Sequence, residues 1–232
     1  MMEENTNGRL SIVATPIGNL GDLTFRALWN LKECGVIYAE DTRVTLKLLN
    51  HYGLRKSVFR LDAATEDKKA GEVIERLEKG EHVVYVTDAG TPGVSDPGAR
   101  LVRHIRTNMP MVKIESIPGP SALTAALSIA GINADRFTFV GFLPHKKGRQ
   151  TALKLLTKSE IPVVLYESPH RIVKLLEELE RVAPKRVVTI TRELTKVHEE
   201  VLSGTPGELA QIIEEKHKDR GEFVVIVGPY GV

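Results

Sequence analysis

Three turns rich in glycine and proline could place backbone groups against a small ligand. They span residues 15–22, 88–98 and 117–120. Glycine leaves room for a ligand beside the backbone, and proline fixes the shape of a loop. Each turn follows a predicted strand, and the carboxyl ends of parallel strands are where α/β sheets usually bind ligands. We therefore expect the three turns to converge on one edge of a sheet.

The glycine spacing in these turns does not match the common phosphate and nucleophile motifs. Gly18 and Gly21 do not form G-x-G-x-x-G, which disfavours a dehydrogenase and leaves a plain structural turn as the alternative. The 88–98 loop lacks the lysine of a P-loop, and the residues around Ser95 do not read G-x-S-x-G. Asp88 and Asp96 could bind Mg²⁺, but aspartates that hydrogen-bond their own turn are commoner. No metal site is predicted.

The composition describes an ordinary globular protein. The 232 residues are 42% apolar and 27% charged, which excludes disorder, collagen and coiled coil as the overall state and suggests one large or two small domains. The net charge of +2 argues against indiscriminate nucleic-acid binding. A local basic loop, His145-Lys146-Lys147-Gly148-Arg149, could still meet a phosphate backbone or simply be solvated.

Neither a membrane span nor a secretory signal is expected. The longest stretch without a charge, residues 116–134, contains Pro118 and Pro120, so it does not suit a membrane helix. The N-terminus, Met1-Met2-Glu3-Glu4-Asn5, lacks the basic start and apolar run of a signal peptide. The single cysteine, Cys34, allows no intrachain disulfide and no zinc cluster. We expect a cytoplasmic protein.

The elements that must position these turns alternate between strands and helices. Strands are predicted at 10–14, 36–39, 58–61, 82–87 and 112–116, with helices at 23–31, 42–51, 66–79 and 99–107. This order predicts a mostly parallel sheet covered on both faces. The break at Pro118 places a domain boundary there, giving an N-terminal α/β domain at 1–117 and a C-terminal α/β domain at 118–232.

The second half predicts a mixed sheet. Helices are predicted at 121–130, 149–158, 169–181 and 206–217, with strands at 137–140, 163–166, 187–191, 199–202 and 223–227. Two of these strands follow one another without a helix between them, which suggests mixed pairing in a second α/β layer.

Seven short runs, in order along nearly the whole chain, resemble the ribosomal RNA small subunit methyltransferase I family. They are Ala14-Thr15-Pro16-Ile17-Gly18-Asn19-Leu20, Ala39-Glu40-Asp41-Thr42-Arg43, Asp88-Ala89-Gly90-Thr91-Pro92, Asp96-Pro97-Gly98, Gly141-Phe142-Leu143-Pro144, Tyr166-Glu167-Ser168-Pro169-His170-Arg171 and Arg192-Glu193-Leu194-Thr195-Lys196. The resemblance implies the tetrapyrrole methylase fold of class III methyltransferases: two α/β domains with S-adenosylmethionine in the cleft between them, and a homodimer. It also implies methylation of the 2′-hydroxyl of a cytidine in 16S rRNA. Family members often carry a further C-terminal extension, whereas this sequence ends at Val232.

The resemblance also implies which residues hold the methyl donor. In the first turn, Pro16, Ile17 and Gly18 would border the donor. In the second loop, the residues that would contact its methionine part are Gly90, Thr91, Pro92 and Val94. Just after the third turn, Ser121 and Ala122 would touch its carboxylate or ribose, and Tyr166 would close the adenine side. For each residue the alternative is turn geometry or core packing.

A ribose 2′-hydroxyl is a weak acid, so a base or cation should help to remove its proton. The catalytic candidates are Glu40, Arg43, Glu193 and Lys196, in groups that could equally be ion pairs fastening the fold. The candidates for RNA binding are Lys146, Lys147, Arg149 and Arg171, since arginine makes bidentate phosphate contacts and lysine supplies a point charge.

Two other functions remain as alternatives. A methyltransferase of the same fold acting on a tetrapyrrole or another small molecule would need an enclosed apolar pocket. An RNA-binding module without catalysis would have no affinity for S-adenosylmethionine and would need stacking aromatics, which make up only 5% of this chain.

Overall fold

Strands and helices alternate along the first half of the chain as the hydrophobic pattern predicts. A computed structural model describes residues 8–216, 218 and 220–230; the segment Met1-Met2-Glu3-Glu4-Asn5 and His217, the predicted end of the last helix, lie outside this range. The chain divides into two units between Ser121 and Ala122, four residues after the predicted boundary. The elements of the first unit are β1 (Arg9–Val13), a 3-10 turn (Leu20–Asp22), α1 (Phe25–Glu33), β2 (Val36–Ala39), α2 (Thr42–His51), β3 (Val58–Arg60), α3 (Glu66–Glu78), β4 (His82–Val86), α4 (Ala99–Asn108) and β5 (Lys113–Ile117).

The first sheet is wholly parallel, in the order β3-β2-β4-β1-β5. Its middle strands are buried on both faces, as expected for a parallel sheet with helices on either side. Because all five strands run the same way, the turns that follow them emerge at one edge. Helices α1 and α2 begin at this edge with side-chain N-caps. The Thr24 hydroxyl accepts a hydrogen bond from Ala27 N at 3.1 Å, and Asp41 accepts one from Arg43 N at 2.8 Å.

At the amino ends of these strands lies a half-buried hydrogen-bond network around His82. Arg9 Nη2 can only donate, so His82 Nδ1 accepts from it at 3.1 Å and Nε2–H donates to Ser11 Oγ at 2.8 Å. Ser11 in turn donates to Glu115 at 2.9 Å. Burial, reinforced by the charge of Arg9, lowers the pKa of His82 to about 4. The neutral imidazole is therefore part of the folded state.

Acid should destabilise the protein through His82. Its pKa is about 4 when folded and near 6.5 when unfolded, so its contribution to stability is complete above 6.5 and is lost as the pH falls from 6.5 towards 4. Glu115, whose lowered pKa reflects hydrogen bonds from Lys113 and Ser11 that outweigh burial, acts in the same direction at lower pH. The test is the urea unfolding midpoint of wild type and His82→Gln between pH 4 and 7. The variant should show the shallower pH dependence, and equal slopes would contradict this role for His82.

The second unit has a mixed sheet. Its elements are α5 (Ala122–Ile129), β6 (Thr138–Phe142), α6 (Arg149–Thr157), β7 (Val163–Glu167), α7 (Ile172–Val182), β8 (Val188–Arg192), β9 (Glu200–Gly204), α8 (Pro206–Glu215) and β10 (Phe223–Val227). The order is β6-β7-β10-β8-β9; β6 and β7 are parallel, and β10 is antiparallel to both of its neighbours. The two strands without an intervening helix, β8 and β9, pair antiparallel.

Two elements of the second unit differ from their predicted bounds. Strand β6 extends to Phe142 rather than ending at residue 140, because a bulge with Gly141 at φ 61° lets the chain continue its pairing with β7. Helix α7 begins at Ile172 instead of Pro169, since a turn closed by a hydrogen bond from Arg171 N to Ser168 O at 3.0 Å precedes it. In the part of the chain that the structure describes, we find no helix with the length and apolar character needed to cross a bilayer.

Candidate active site

The structure brings the three glycine- and proline-rich turns of the first unit together. Thr15 and Gly90 exchange backbone hydrogen bonds of 2.9 and 3.0 Å, which joins the turn after β1 to the loop after β4. The hydroxyl of Thr91 donates to Pro120 O at 3.2 Å, which joins that loop to the turn after β5. The residues predicted to hold the donor's methionine part therefore lie beside the turn that carries Ser121. Ala122 begins helix α5 of the second unit.

A cavity of about 350 Å³ opens beside the first turn. The loop after β4 must come close here, because a Cβ added to Gly90 would lie 3.4 Å from Ile17 Cγ2, and its φ of +79° already favours glycine. Apolar and polar groups both face the cavity, which suits a ligand with an apolar body and polar ends. Its lining residues are Thr15, Pro16, Ile17, Gly18, Leu20, Val44, Thr45, Lys47, Leu48, Thr87, Asp88 and Ala89. Thr91, Pro92 and Val94 are not among them; Pro92 is buried and the other two are half-buried.

The far end of the 88–98 loop is held by a residue that the sequence analysis missed. Glu66, at the start of α3, is buried, and its Oε1 accepts hydrogen bonds from Gly98 N and Leu101 N, both at 2.9 Å. Arg100 Nε donates to Oε2 at 3.2 Å. The carboxylate thus caps the first turn of α4, where two or more backbone N–H groups lack a partner within the helix. A lone glutamate 32 residues before Gly98 gave no sequence signal of this contact.

Replacing Glu66 by glutamine should destabilise the protein by about 2 kcal/mol. The amide keeps one acceptor oxygen but loses the charge that strengthens both backbone contacts and the pair with Arg100. The matched control is Glu75→Gln, an exposed position on the same helix. Urea unfolding measures both, and equal midpoints for the two variants would show that the cap contributes nothing.

Glu40 and Arg43 lie at the same edge, around a second cavity of about 630 Å³. Asp88 Oδ1 accepts from Asp41 N at 3.0 Å, which ties the loop after β2 to the loop after β4. Arg43 makes an exposed ion pair of 2.5 Å with Asp41 and lowers the pKa of that carboxyl, through hydrogen bonding, to about 2. The cavity is lined by Glu40, Asp41, Thr42, Arg43, Arg60, Asp62, Ala63, Ala64 and Asp88.

The carboxyl groups at this edge differ in proton affinity. Burial, and then the charge of Asp88, raises the pKa of Glu40. Burial with the charges of Glu40 and Asp88 raises the pKa of Asp96 to about 6. Glu40 is therefore a better proton acceptor near neutral pH than an ordinary glutamate. Within the described ranges, no group of three or more His, Cys, Asp or Glu residues is arranged to hold a metal ion.

The other two catalytic candidates form an ion pair in the loop after β8. Glu193 Oε1 accepts from Lys196 Nζ and from Glu222 N, both at 2.9 Å, and Lys196 also pairs with Glu222. Burial opposes both charges, but these contacts outweigh it, so the pKa of Glu193 is lowered and that of Lys196 is raised. Both groups stay charged at neutral pH. Lys196 can act as a cation there, but it is not a proton acceptor.

The predicted RNA contacts divide into exposed and buried residues. Lys146 and Lys147 are exposed in the loop between β6 and α6. The side chain of Arg149 is only 5% exposed and pairs with Glu178 at 2.7 Å and with Glu167 at 3.7 Å. A guanidinium held in this way does not reach a phosphate in solvent, so the predicted RNA contact of Arg149 is corrected to a structural role.

Arg171 and Tyr166 are also engaged within the second unit. Arg171 pairs with Glu167 at 3.2 Å and donates to Leu143 O at 2.7 Å, with its side chain 14% exposed. Tyr166 is half-buried against the rings of Phe139 and Phe142, at centroid distances of 5.0 and 5.6 Å. The donor contact predicted for Tyr166 and the RNA contact predicted for Arg171 remain predictions.

Comparison with known proteins identifies the fold. The family of Tetrapyrrole (Corrin/Porphyrin) Methylases matches residues 9–210. Diphthine synthase superposes with a TM-score of 0.72 at 18% identity, over 95% of this chain and 90% of that one. Uroporphyrin-III C-methyl transferase from Thermus thermophilus, complexed with S-adenyl homocysteine, superposes with a TM-score of 0.65 at 20% identity, over 95% and 97%. The fold with two sheets is that of a tetrapyrrole methylase.

Sequence relatives narrow the assignment. The ribosomal RNA small subunit methyltransferase I of Xylella fastidiosa is 45% identical over 96% of this chain and 82% of its own length. The enzyme of the same name from Thermotoga maritima is 40% identical over 95% and 98%. The chain belongs to the ribosomal RNA small subunit methyltransferase I family, and it is a methyltransferase whose cofactor is S-adenosylmethionine.

Proposed function

We propose that the protein transfers the methyl group of S-adenosylmethionine to the ribose 2′-hydroxyl of a cytidine in 16S rRNA. Membership in a family whose relatives are named for the ribosomal small subunit supports the RNA substrate. One observation supports the proposed methyl transfer most directly. The turn after β1 is hydrogen-bonded to the Gly90–Thr91 segment, and the half-buried carboxyl of Glu40 lies at the same edge of the sheet. A donor site and a proton acceptor thus share one edge of the first sheet.

The donor would be held largely by backbone and small side chains. Pro16, Ile17 and Gly18 line the smaller cavity, and the lack of a side chain at Gly90 lets the loop after β4 approach Ile17 closely. When bound, S-adenosylmethionine supplies a methyl group on a positively charged sulfur. The protein's part is to fix this group in line with the acceptor oxygen, since positioning accounts for much of the acceleration in a two-reactant step.

Glu40 is the proposed proton acceptor. As the new O–CH₃ bond forms and the S–CH₃ bond breaks, the 2′-hydroxyl proton must leave, and a carboxylate with a raised pKa retains it better than an ordinary one. Arg43, Glu193 and Lys196 remain proposed as charged groups that orient the RNA or the reacting oxygen. None of the three is proposed to carry the proton.

The deciding experiment uses labelled donor. The protein is incubated with methyl-tritiated S-adenosylmethionine and either naked 16S rRNA or assembled small subunits, and the RNA is digested to nucleosides. We expect label in 2′-O-methylcytidine. Donor binding without labelled RNA on either form would favour a small-molecule substrate, and a folded protein without donor binding would favour a non-catalytic RNA-binding module.

The proposal includes a homodimer that acts in the cytoplasm. Two large apolar side chains on helix α1 support an interface, since Phe25 is 94% exposed and Trp29 is 60% exposed. They lie four residues apart and so share one face of the helix. Sedimentation of wild type and of the Phe25→Ser/Trp29→Ser variant tests this, and a monomeric wild type would contradict it.

A further inference from the structure

An exposed aromatic group in the second unit is not used by the chemistry proposed above. Phe142 is 55% exposed at the end of β6, the edge strand of its sheet. Its ring contacts Tyr166, which also contacts Phe139, so three rings form one cluster. An exposed phenylalanine at the end of an edge strand is available for contact with another molecule.

The β6 bulge is what turns Phe142 towards this cluster. Residues three apart on a regular strand point to opposite faces. Here Phe139 pairs with Val164 and Phe142 pairs with Tyr166, so one extra residue is inserted in β6 between them. Gly141, with φ 61°, accommodates the insertion. The bulge therefore puts Phe139 and Phe142 on the same face as Tyr166.

The exposed lysines follow this ring closely along the chain. The chain from Phe142 to Lys146 is four residues long, which can span at most about 14 Å. Arg171 donates to Leu143 O at 2.7 Å, and the buried Arg149 lies 3.4 Å from Pro144 O. Two arginines thus hold the start of the loop by its carbonyl oxygens, while Lys146 and Lys147 are exposed.

Both arginines are fixed by the same buried carboxylate. Glu167, at the end of β7, is fully buried and lies 3.2 Å from Arg171 Nε and 3.7 Å from Arg149 Nη1. Because β7 also carries Tyr166, one strand end supports the aromatic cluster and anchors the basic loop.

We infer that Phe142, Lys146 and Lys147 form a contact surface for an unpaired segment of the RNA substrate, with a base stacked on Phe142 and phosphates at the two lysines. Exposed rings beside a row of positive charges are the elements of single-strand recognition, since every base has a face that can stack. Glu167, Arg149 and Arg171 are positioning residues for this surface. The inference rests on the proposed function, because it concerns how the RNA substrate is held.

The test measures binding of an unstructured, fluorescein-labelled, cytidine-containing RNA 12-mer to the full-length protein at several salt concentrations. We expect Phe142→Ala to weaken binding by about tenfold or more, and Phe142→Tyr, which keeps a stacking ring, to bind within about twofold of wild type. Lys146→Gln/Lys147→Gln should weaken binding and reduce the slope of log affinity against log salt by about 1.4, since each phosphate contact to a single strand contributes about 0.7.

The amino ends of strands in the same sheet, opposite to the end that carries Phe142, supply matched controls. Phe137, which precedes β6, is exposed, and Lys158 and Lys185 lie before β7 and β8. Phe137→Ala and Lys158→Gln/Lys185→Gln make the same chemical changes away from the proposed surface, and both should bind RNA as wild type does. Equal losses in the control variants would contradict the inference.

Three further readouts decide between this surface and other roles of Phe142. Unchanged RNA affinity in Phe142→Ala overturns the inference. Weakened donor binding in Phe142→Ala, measured by calorimetry, would make Phe142 part of the cofactor site. A changed sedimentation coefficient would place it in a subunit interface. Either result also overturns the inference.

If wild type binds the 12-mer through Phe142 but labels no rRNA, the proposed function fails and the RNA surface stands. If wild type methylates rRNA and Phe142→Ala does so with an unchanged KM for the RNA, only the inference fails.

Discussion

Thr91→Arg is expected to abolish binding of S-adenosylmethionine while leaving the protein folded. Thr91 follows Gly90, whose backbone is bonded to Thr15, and its own hydroxyl reaches Pro120. A long cationic side chain at this junction would fill the space between the turns. It would also place a positive charge near the sulfonium of the donor, and like charges repel strongly where water is excluded. We expect the affinity to fall at least about 100-fold, an effect of about 2.7 kcal/mol or more.

Calorimetric titration with the donor measures this change. Thr91→Ser is the matched control, because it keeps the hydroxyl that donates to Pro120 and should bind within a few fold of wild type. The urea unfolding midpoint of Thr91→Arg should stay close to that of wild type, since the side chain is only half-buried. Donor affinity unchanged by the arginine would show that this loop does not border the cofactor.

The part of the site that could be predicted from the sequence is the part fixed by topology. Parallel strands send their following turns to one edge, so Gly18, Gly90 and Pro120 could be placed near one another from the order of strands alone. Two observed contacts follow from that arrangement. They are the backbone bridge between Thr15 and Gly90 and the hydrogen bond from the Thr91 hydroxyl to Pro120 O. Strand β2, predicted at residues 36–39, has those bounds in the structure. Its four consecutive apolar or aromatic residues, all buried, leave little choice of where the strand begins and ends.

The contacts that could not be predicted depend on side chains distant in sequence. Glu66 reaches Gly98 across 32 residues, and Arg149 reaches Glu178 across 29. Charge pattern alone does not separate a solvated arginine from a buried one, so Arg149 was grouped with the neighbouring lysines. The bulge in β6 was also missed, because a glycine inside a strand pattern does not specify whether the pairing ends or shifts.

The acidic groups around Glu40 connect the fold to the proposed chemistry. In addition to the effect of burial, the charge of Asp88 raises the pKa of Glu40, and the charges of Glu40 and Asp88 raise the pKa of Asp96. Such repulsion costs stability, and it persists because the backbone bond from Asp41 N to Asp88 and the cap at Glu66 hold the two loops in place. Shifted carboxyl groups of this kind are found more often at functional sites than elsewhere. The arrangement favours Glu40 over Glu193 as the proton acceptor, since the pKa of Glu193 is shifted in the opposite direction.

Arg149→Leu is expected to destabilise the protein by about 3 kcal/mol, because it leaves two buried carboxylates without their shared partner. Glu178 would lose both a hydrogen bond and an ion pair of 2.7 Å, and Glu167 would keep Arg171 and the hydrogen bond from Ser168 N. Lys147→Leu, two residues away and exposed, makes a similar change in charge and should leave stability within about 0.5 kcal/mol of wild type. Urea unfolding of the two variants separates a structural arginine from an RNA-binding one. A direct phosphate contact at Arg149 would lower RNA affinity without moving the unfolding midpoint, and that result would restore the role predicted from the sequence.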